Sequence, residues 1–228
     1  MDRRTFLSTV GATGAVGATT GLAGCLSSIG LGDANPDVVL GEPDRPFDSE
    51  DVPYPAWGER VPDVELPAPV DGGKVAFRDA DVPTLATFFY SHCKTICPVL
   101  ISTLRNVQTH ATNQGYADDV AFHPVTFDPE RDTADRLDAY AEERNVDADA
   151  SNWTFLRPES TARAKAVVDE AFGVAFERTH PEEMDMYMFD HASLTLLVNP
   201  DGYVERAYTS KSPDEERIID DLRRVRRA

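Results

Sequence analysis

Lysine is scarce in this chain of 228 residues, at four, and cysteine scarcer, at three. No apolar run reaches the roughly 20 residues that span a bilayer, and no internal repeat is visible. The 22 basic residues are outnumbered by 40 acidic ones, leaving a net charge of −18. A surface that negative repels a phosphate backbone, and the only basic cluster is the arginine-rich C-terminus (Arg217, Arg223, Arg224, Arg226, Arg227), so nucleic-acid binding is excluded as an expectation. The acidity reads as general solvation in a salt-rich, halophilic setting, where screening removes the self-repulsion of so many carboxylates. Core-forming residues are plentiful: 41% of the chain is hydrophobic, with 11 Phe, 7 Tyr and 2 Trp, enough for one globular domain plus an extension.

The extension is N-terminal. Adjacent Arg3 and Arg4 precede Phe6 and Leu7, and a weakly apolar stretch runs from Val10 to Leu22, a pattern of twin-arginine export signals. At about 13 residues and rich in glycine, it is too short and too pliable for a membrane helix. It ends in Leu22-Ala23-Gly24-Cys25, which resembles the lipobox of lipoproteins and accounts for the odd cysteine. Residues 1–25 are therefore expected to be a lipoprotein signal that leaves Cys25 lipidated on the outer face of the cytoplasmic membrane. Residues 26–64, rich in Asp, Glu, Pro, Gly and Ser, read as an acidic, disordered linker whose last third could order if Tyr54 and Trp57 pack back. Residues 65–228 are the expected domain.

Within it, Thr84 to Tyr90 is a continuous apolar run with β-branched and aromatic residues, as in a strand covered on both faces. Leu100, Ile101, Leu104 and Val107 follow Pro98 at helical spacing up to about His110. Further strands are expected at 120–127 and 153–156, helices at 133–144 and 159–172, a hairpin across Pro200-Asp201-Gly202, and a closing helix at 213–227. Alternating elements, then a hairpin and a last helix, predict an α/β domain with a mixed sheet flanked by helices.

Cys93 and Cys97 stand between the first strand and the first helix. Cys97 precedes a proline and is expected outside helical angles, so that the loop must curl to bring the sulfurs together. Unpaired N–H groups at a helix start favour thiolate, the form that binds metal or attacks a disulfide. A static disulfide closing so small a ring would restrict the unfolded chain little, which points to a functional, redox-active pair.

Three stretches, FFYSHCKTICP, VTFDPERDT and DHASLTLLVNPDG, resemble in order and spacing the hallmark segments of the Sco/SenC family of copper-handling proteins. The resemblance covers most of residues 65–227 and implies a thioredoxin-like fold. It implies copper, as Cu(I) or Cu(II), held by Cys93, Cys97 and His191, and a role in assembling the copper site of cytochrome oxidase. Asp128 would be the family's acidic residue near the cysteine loop. Where thioredoxin-like reductases carry a cis-proline, Ser193 stands instead, which weakens general disulfide exchange and leaves room for a metal ligand. Two thiolates and an imidazole suit Cu(I), whereas zinc usually asks for a fourth ligand.

The implied activity is that of a monomeric metallochaperone delivering copper to the copper-binding subunit of a haem-copper oxidase. The alternative is a thiol-disulfide reductase that keeps that subunit's cysteines reduced, with Cys93 as the attacking sulfur; a metal site needs His191 and thiol exchange does not. Asp190 could orient the His191 ring or stay solvated. His92 is expected to point away from the cysteines, and His110, His123 and His180 to be structural or superficial. Met184, Met186 and Met188 would share one face of an extended segment, either packed on the core or offering thioethers to copper during transfer.

Overall fold

The computed structural model describes residues 35–228. The expected signal at 1–25, with Cys25 and the twin arginines, lies outside the described residues.

Four strands form the main sheet: β3 (Thr84–Phe89), β4 (Ala121–Thr126), β7 (Thr195–Val198) and β8 (Val204–Tyr208), in the order β4-β3-β7-β8. Strand β3 is parallel to β4 and antiparallel to β7, and β7 is antiparallel to β8, so the sheet is mixed as expected. Every residue of β3 is buried, which is what its unbroken apolar run requires. Of its two buried polar side chains, Thr84 donates to the Val82 carbonyl at 3.3 Å, and Thr87 donates to the Leu194 carbonyl at 3.0 Å and meets Thr195 Oγ1 at 3.1 Å. Beyond β4, the expected strand at 153–156 pairs only through parallel bridges from Phe122 to Trp153 and from Val125 to Leu156. Two small antiparallel ribbons lie outside this sheet: β1 (Glu65–Pro67) with β2 (Lys74–Ala76), and β5 (Phe176–Thr179) with β6 (Met188–His191).

Helix α1 (Ile96–Asn113) follows β3 and buries Leu100, Ile101, Leu104 and Val107, the face foreseen from their spacing, together with Cys97. Helix α2 (Ala134–Arg144) is capped by Thr133, whose hydroxyl accepts from the Arg136 N–H, and ends at Asn145 in the left-handed region. The third helical segment opens as α3 (Thr161–Ala164) and widens into π-helical turns over Lys165–Ala171. Helix α4 (Glu215–Val225) closes the domain on Ile218, Ile219, Leu222 and Val225.

The last third of the linker orders as foreseen, with Tyr54 packed against the core and Trp57 Nε1 donating to the Leu40 carbonyl at 2.7 Å, but the order begins already at Asn35. Glu205, fully buried on β8, accepts the N–H groups of Val39 and Leu40, both at 2.8 Å, and the Asn199 amide at 2.9 Å. Gly58 and Val61 donate to the Val204 and Gly202 carbonyls, and Val204 returns a bond to Glu59, so the segment pairs along the outer side of β8. An open sheet edge is a liability, and this strap closes it while burying Leu40, Ala56 and Val61. The strap crosses Gly173 so closely that a Cβ there would collide with the Pro53 carbonyl, and Gly173 also has φ +66°.

Candidate metal centre

Strand β3 ends beneath the cysteine loop, and the loop runs directly into α1. Helical geometry begins at Ile96, so Cys97 lies in the first turn, contrary to the expectation drawn from Pro98. First-turn N–H groups have no acceptor within their own helix, so proline forfeits nothing there. The Cys97 N–H instead donates to Cys93 Sγ at 3.4 Å, curling the loop so that both sulfurs face one point. Both cysteines are free and buried.

The third group arrives from β6. His191 Nε2 stands 3.4 Å from Cys97 Sγ and 4.0 Å from Cys93 Sγ. Its Nδ1 lies 2.9 Å from the Ala192 carbonyl, a contact that selects the Nδ1–H tautomer and turns the Nε2 lone pair toward the sulfurs. The rings of Tyr90 and Phe127 flank the imidazole at centroid distances of 5.9 and 5.2 Å. All three ligand atoms fall within 4.8 Å of one another. An ion holding sulfur at about 2.3 Å and nitrogen at about 2.0 Å, at trigonal angles, needs a sulfur-nitrogen separation of roughly 3.8 Å. The two observed values bracket it, so the residues fit one soft ion in a three-coordinate site.

The sulfurs differ electrostatically. The hydrogen bond from the Cys97 thiol holds the Cys93 pKa far below the ordinary thiol value; His191 and the N–H groups of Thr95 and Cys97 add to this, and burial opposes it. Burial first, and then the hydrogen bond and charge of Cys93, raise Cys97 well above the ordinary value. The pair therefore carries one thiolate and one thiol, and a metal must displace the second proton.

A second group of donors, His92, Asp128 and Asp132, lies close by. Asp132 is fully buried and spends its oxygens on the Ser91 N–H at 3.1 Å, the Ser91 hydroxyl at 2.5 Å and the Thr126 hydroxyl. It anchors the start of the cysteine loop. Arg136 Nε adds a bond to Ser91 Oγ at 3.0 Å, and His92 Nδ1 sits 3.1 Å from the same oxygen, directed at this network. Asp128 accepts from Arg131 Nε at 2.5 Å and from the Tyr187 hydroxyl at 2.8 Å, which ties it to the segment carrying His191. Sequence reasoning overlooked Asp132, Arg131 and Tyr187. Two of them lie in the VTFDPERDT stretch, whose density of charge around a proline was the available signal.

Asp190 is exposed and faces Glu177 across the ribbon, while its neighbour His191 turns to the sulfurs. The methionines do not form an extended face: Met184 N–H donates to the Pro181 carbonyl at 3.1 Å, and the chain bends until β6 begins at Met188. Met184 and Met186 are 42% and 43% exposed, so neither packs on the core, whereas Met188 is half-buried against it. Four strand residues at about 3.3 Å rise separate Tyr187 from His191 by roughly 13 Å, leaving Met184 and Met186 at the far end of β6 from the imidazole.

The SCO1/SenC family model matches residues 74–227. The chain is 28% identical over 140 residues to an SCO1 protein homolog of Bacillus subtilis, covering 61% of this chain and 68% of that protein. Against the mitochondrial SCO2 homolog of Bos taurus it is 27% identical over 140 residues, 61% of this chain, and spans only half of that protein's length. The crystal structure of Arabidopsis thaliana ScoI with copper bound superimposes with a TM-score of 0.59 at 25% identity, covering 72% of this chain and 96% of that one. With its mixed sheet, its flanking helices and the matched segment running from β2 to the end of α4, this thioredoxin-like chain belongs to the SCO1/SenC family.

Proposed function

We propose that this chain carries copper outside the cytoplasm and delivers it to the copper-binding subunit of a haem-copper oxidase, working as a monomer. The carrying observation is the convergence of Cys93 Sγ, Cys97 Sγ and His191 Nε2, two soft sulfurs and one oriented imidazole, within 4.8 Å. The copper-bound state of the Arabidopsis relative supports the choice of metal. Export through the twin-arginine signal and attachment at Cys25 belong to the same proposal. Membrane fractionation tests them: a Cys25→Ser protein as membrane-bound as its parent would remove the anchor.

Titrating reduced protein with Cu(I) tests the site. We expect one equivalent to bind, Cys93→Ser and Cys97→Ser each to lower affinity by roughly a hundredfold or more, and His191→Ala to lower it less, because two thiolates remain. Absence of binding by the parent sinks the proposal.

One feature favours the second reading, thiol-disulfide reduction: the surroundings lower the Cys93 pKa and raise that of Cys97, so Cys93 is the sulfur favoured as thiolate. In that chemistry Cys93 attacks a partner disulfide, expelling one partner thiolate, and Cys97 then closes the Cys93–Cys97 disulfide and expels the other. Two electrons and the one proton held by Cys97 pass to the partner, and solvent protonates the other released thiolate. His191→Ala should lower copper loading and change this exchange far less, because the Cys97 hydrogen bond, the larger support of the Cys93 thiolate, remains.

A further inference from the structure

We infer that Tyr187 is a positioning residue for the metal centre: it clamps the β5–β6 ribbon to the Asp128 segment and thereby fixes where His191 stands. The inference rests on the copper-site reading and extends it to a residue with no ligand atom in the site.

The three metal-binding side chains come from two bodies. Cys93 and Cys97 belong to the main sheet and α1, while His191 ends a ribbon that shares no ladder with that sheet. Two attachments hold the ribbon. At its His191 end, Phe176 and Phe189 pack with Phe127 and Tyr90, and the Phe189 N–H donates to the Tyr90 hydroxyl at 3.3 Å. At its other end the attachment converges on Tyr187. Its hydroxyl donates to Asp128 Oδ1 at 2.8 Å, and its carbonyl accepts from Arg131 Nη1 at 2.9 Å. The guanidinium groups of Arg131 and Arg178 approach its ring at 3.6 and 4.0 Å from the centroid. Arg131 is itself held by Asp128 Oδ2, and Arg178 by Glu130 at 2.8 Å.

Two cations on one aromatic ring repel each other unless carboxylates neutralise them, and here each guanidinium has its own. The assembly links the second hallmark stretch to the segment just before the third through one side chain. A ribbon fastened at both ends presents the imidazole at one place. Fastened only at the aromatic end it can pivot, and His191 becomes the ligand that arrives late and leaves early. Asp128 thus acts on the site through Tyr187.

The test is a double-mutant cycle on Cu(I) affinity in the full chain, with thermal midpoints as control. Tyr187→Ala should weaken copper roughly tenfold, and Tyr187→Phe, which keeps the ring and loses the hydroxyl bond, about threefold. In a His191→Ala background both changes should vanish, since there is no imidazole left to position. Equal losses in that background would mean a general structural role and overturn the inference, as would unchanged affinity in a folded Tyr187→Ala protein. Amide hydrogen exchange of the metal-free protein gives a readout without copper: Phe189 to His191 should exchange faster in Tyr187→Ala while β3 and β7 stay protected. If the parent binds no copper but this exchange difference appears, the copper reading fails and the clamp stands. Equal exchange in both proteins removes the clamp.

Discussion

The cysteine loop and the β5–β6 ribbon supply the same site with ligands, yet they are built in opposite ways. The loop joins a fully buried strand to an 18-residue helix and is pinned from beneath by Asp132; both of its cysteines are buried. The ribbon is four residues deep, stands outside the main sheet, and leaves His191 half-buried and its bend exposed. Under the proposed delivery role, a site assembled this way would hold copper firmly on one side and release it from the other. Hand-off needs that asymmetry, because a carrier that grips equally from every direction cannot yield its cargo to an acceptor arriving at the surface.

The firm side can be broken most severely at Asp132. Asp132→Ala strands the Ser91 N–H and the Thr126 hydroxyl in the interior as buried donors without an acceptor, and leaves the Ser91 hydroxyl only His92 Nδ1 to turn to. The expected cost is about 3 to 4 kcal/mol, a fall in thermal midpoint of roughly 10 °C for a domain of this size. Calorimetry of the metal-free protein measures it. A midpoint within a degree or two of the parent would show that the loop keeps its place without this anchor.

The division between the two regions also marks how far the sequence could be read. Strand β3, the buried face of α1 and the spacing of the cysteines were legible because periodicity and hydrophobic runs are local, and the three hallmark stretches carried His191 with them. Cys97 was misplaced by weighing the proline that follows it without weighing its position in the first turn. Tyr54 and Trp57 hinted that the end of the strap would pack back, but its earlier part was misread because nothing in a run of Asp, Pro and Gly announces that the Val39 and Leu40 N–H groups will meet a buried carboxylate at Glu205, about 165 residues away. Tyr187 was passed over for the same reason: its partners Asp128, Arg131 and Arg178 are scattered along the chain, and only the fold brings them to one ring.

Acid sharpens the comparison from the firm side. His123 lies in β4, its Nδ1 has no partner, and burial pushes its pKa down to about 4. The unfolded chain takes up a proton as pH falls through about 6.5, whereas the folded chain refuses it until about 4. Stability should therefore be full above pH 6.5, decline by about 3 kcal/mol between 6.5 and 4, and level off below. His123→Gln should flatten that part of the profile. Denaturant melts at stepped pH check it, and a parent whose His123-dependent stability rises on acidification would reverse the sign and refute the account.

The smallest effect is expected at the bend of the ribbon, and there the comparison makes its finest distinction. Met184 and Met186 are exposed and lie in the bend before β6, outside the strand that carries His191. Exchanging both for Leu conserves volume and should leave copper stoichiometry unchanged and affinity within about twofold. Their thioethers can still meet copper, or the acceptor that receives it, at the surface from which the metal departs. The double variant is therefore expected to slow transfer to a purified acceptor domain by a few-fold, about 2 to 5, a change smaller than a single lost hydrogen bond to a charged group would give. The measurement is the transfer rate at matched thermal stability. An unchanged rate would confine release to His191 and the cysteines and leave the bend as a solvated turn, whereas a change in resting affinity would mean that the ribbon bends far enough to bring a thioether to the metal.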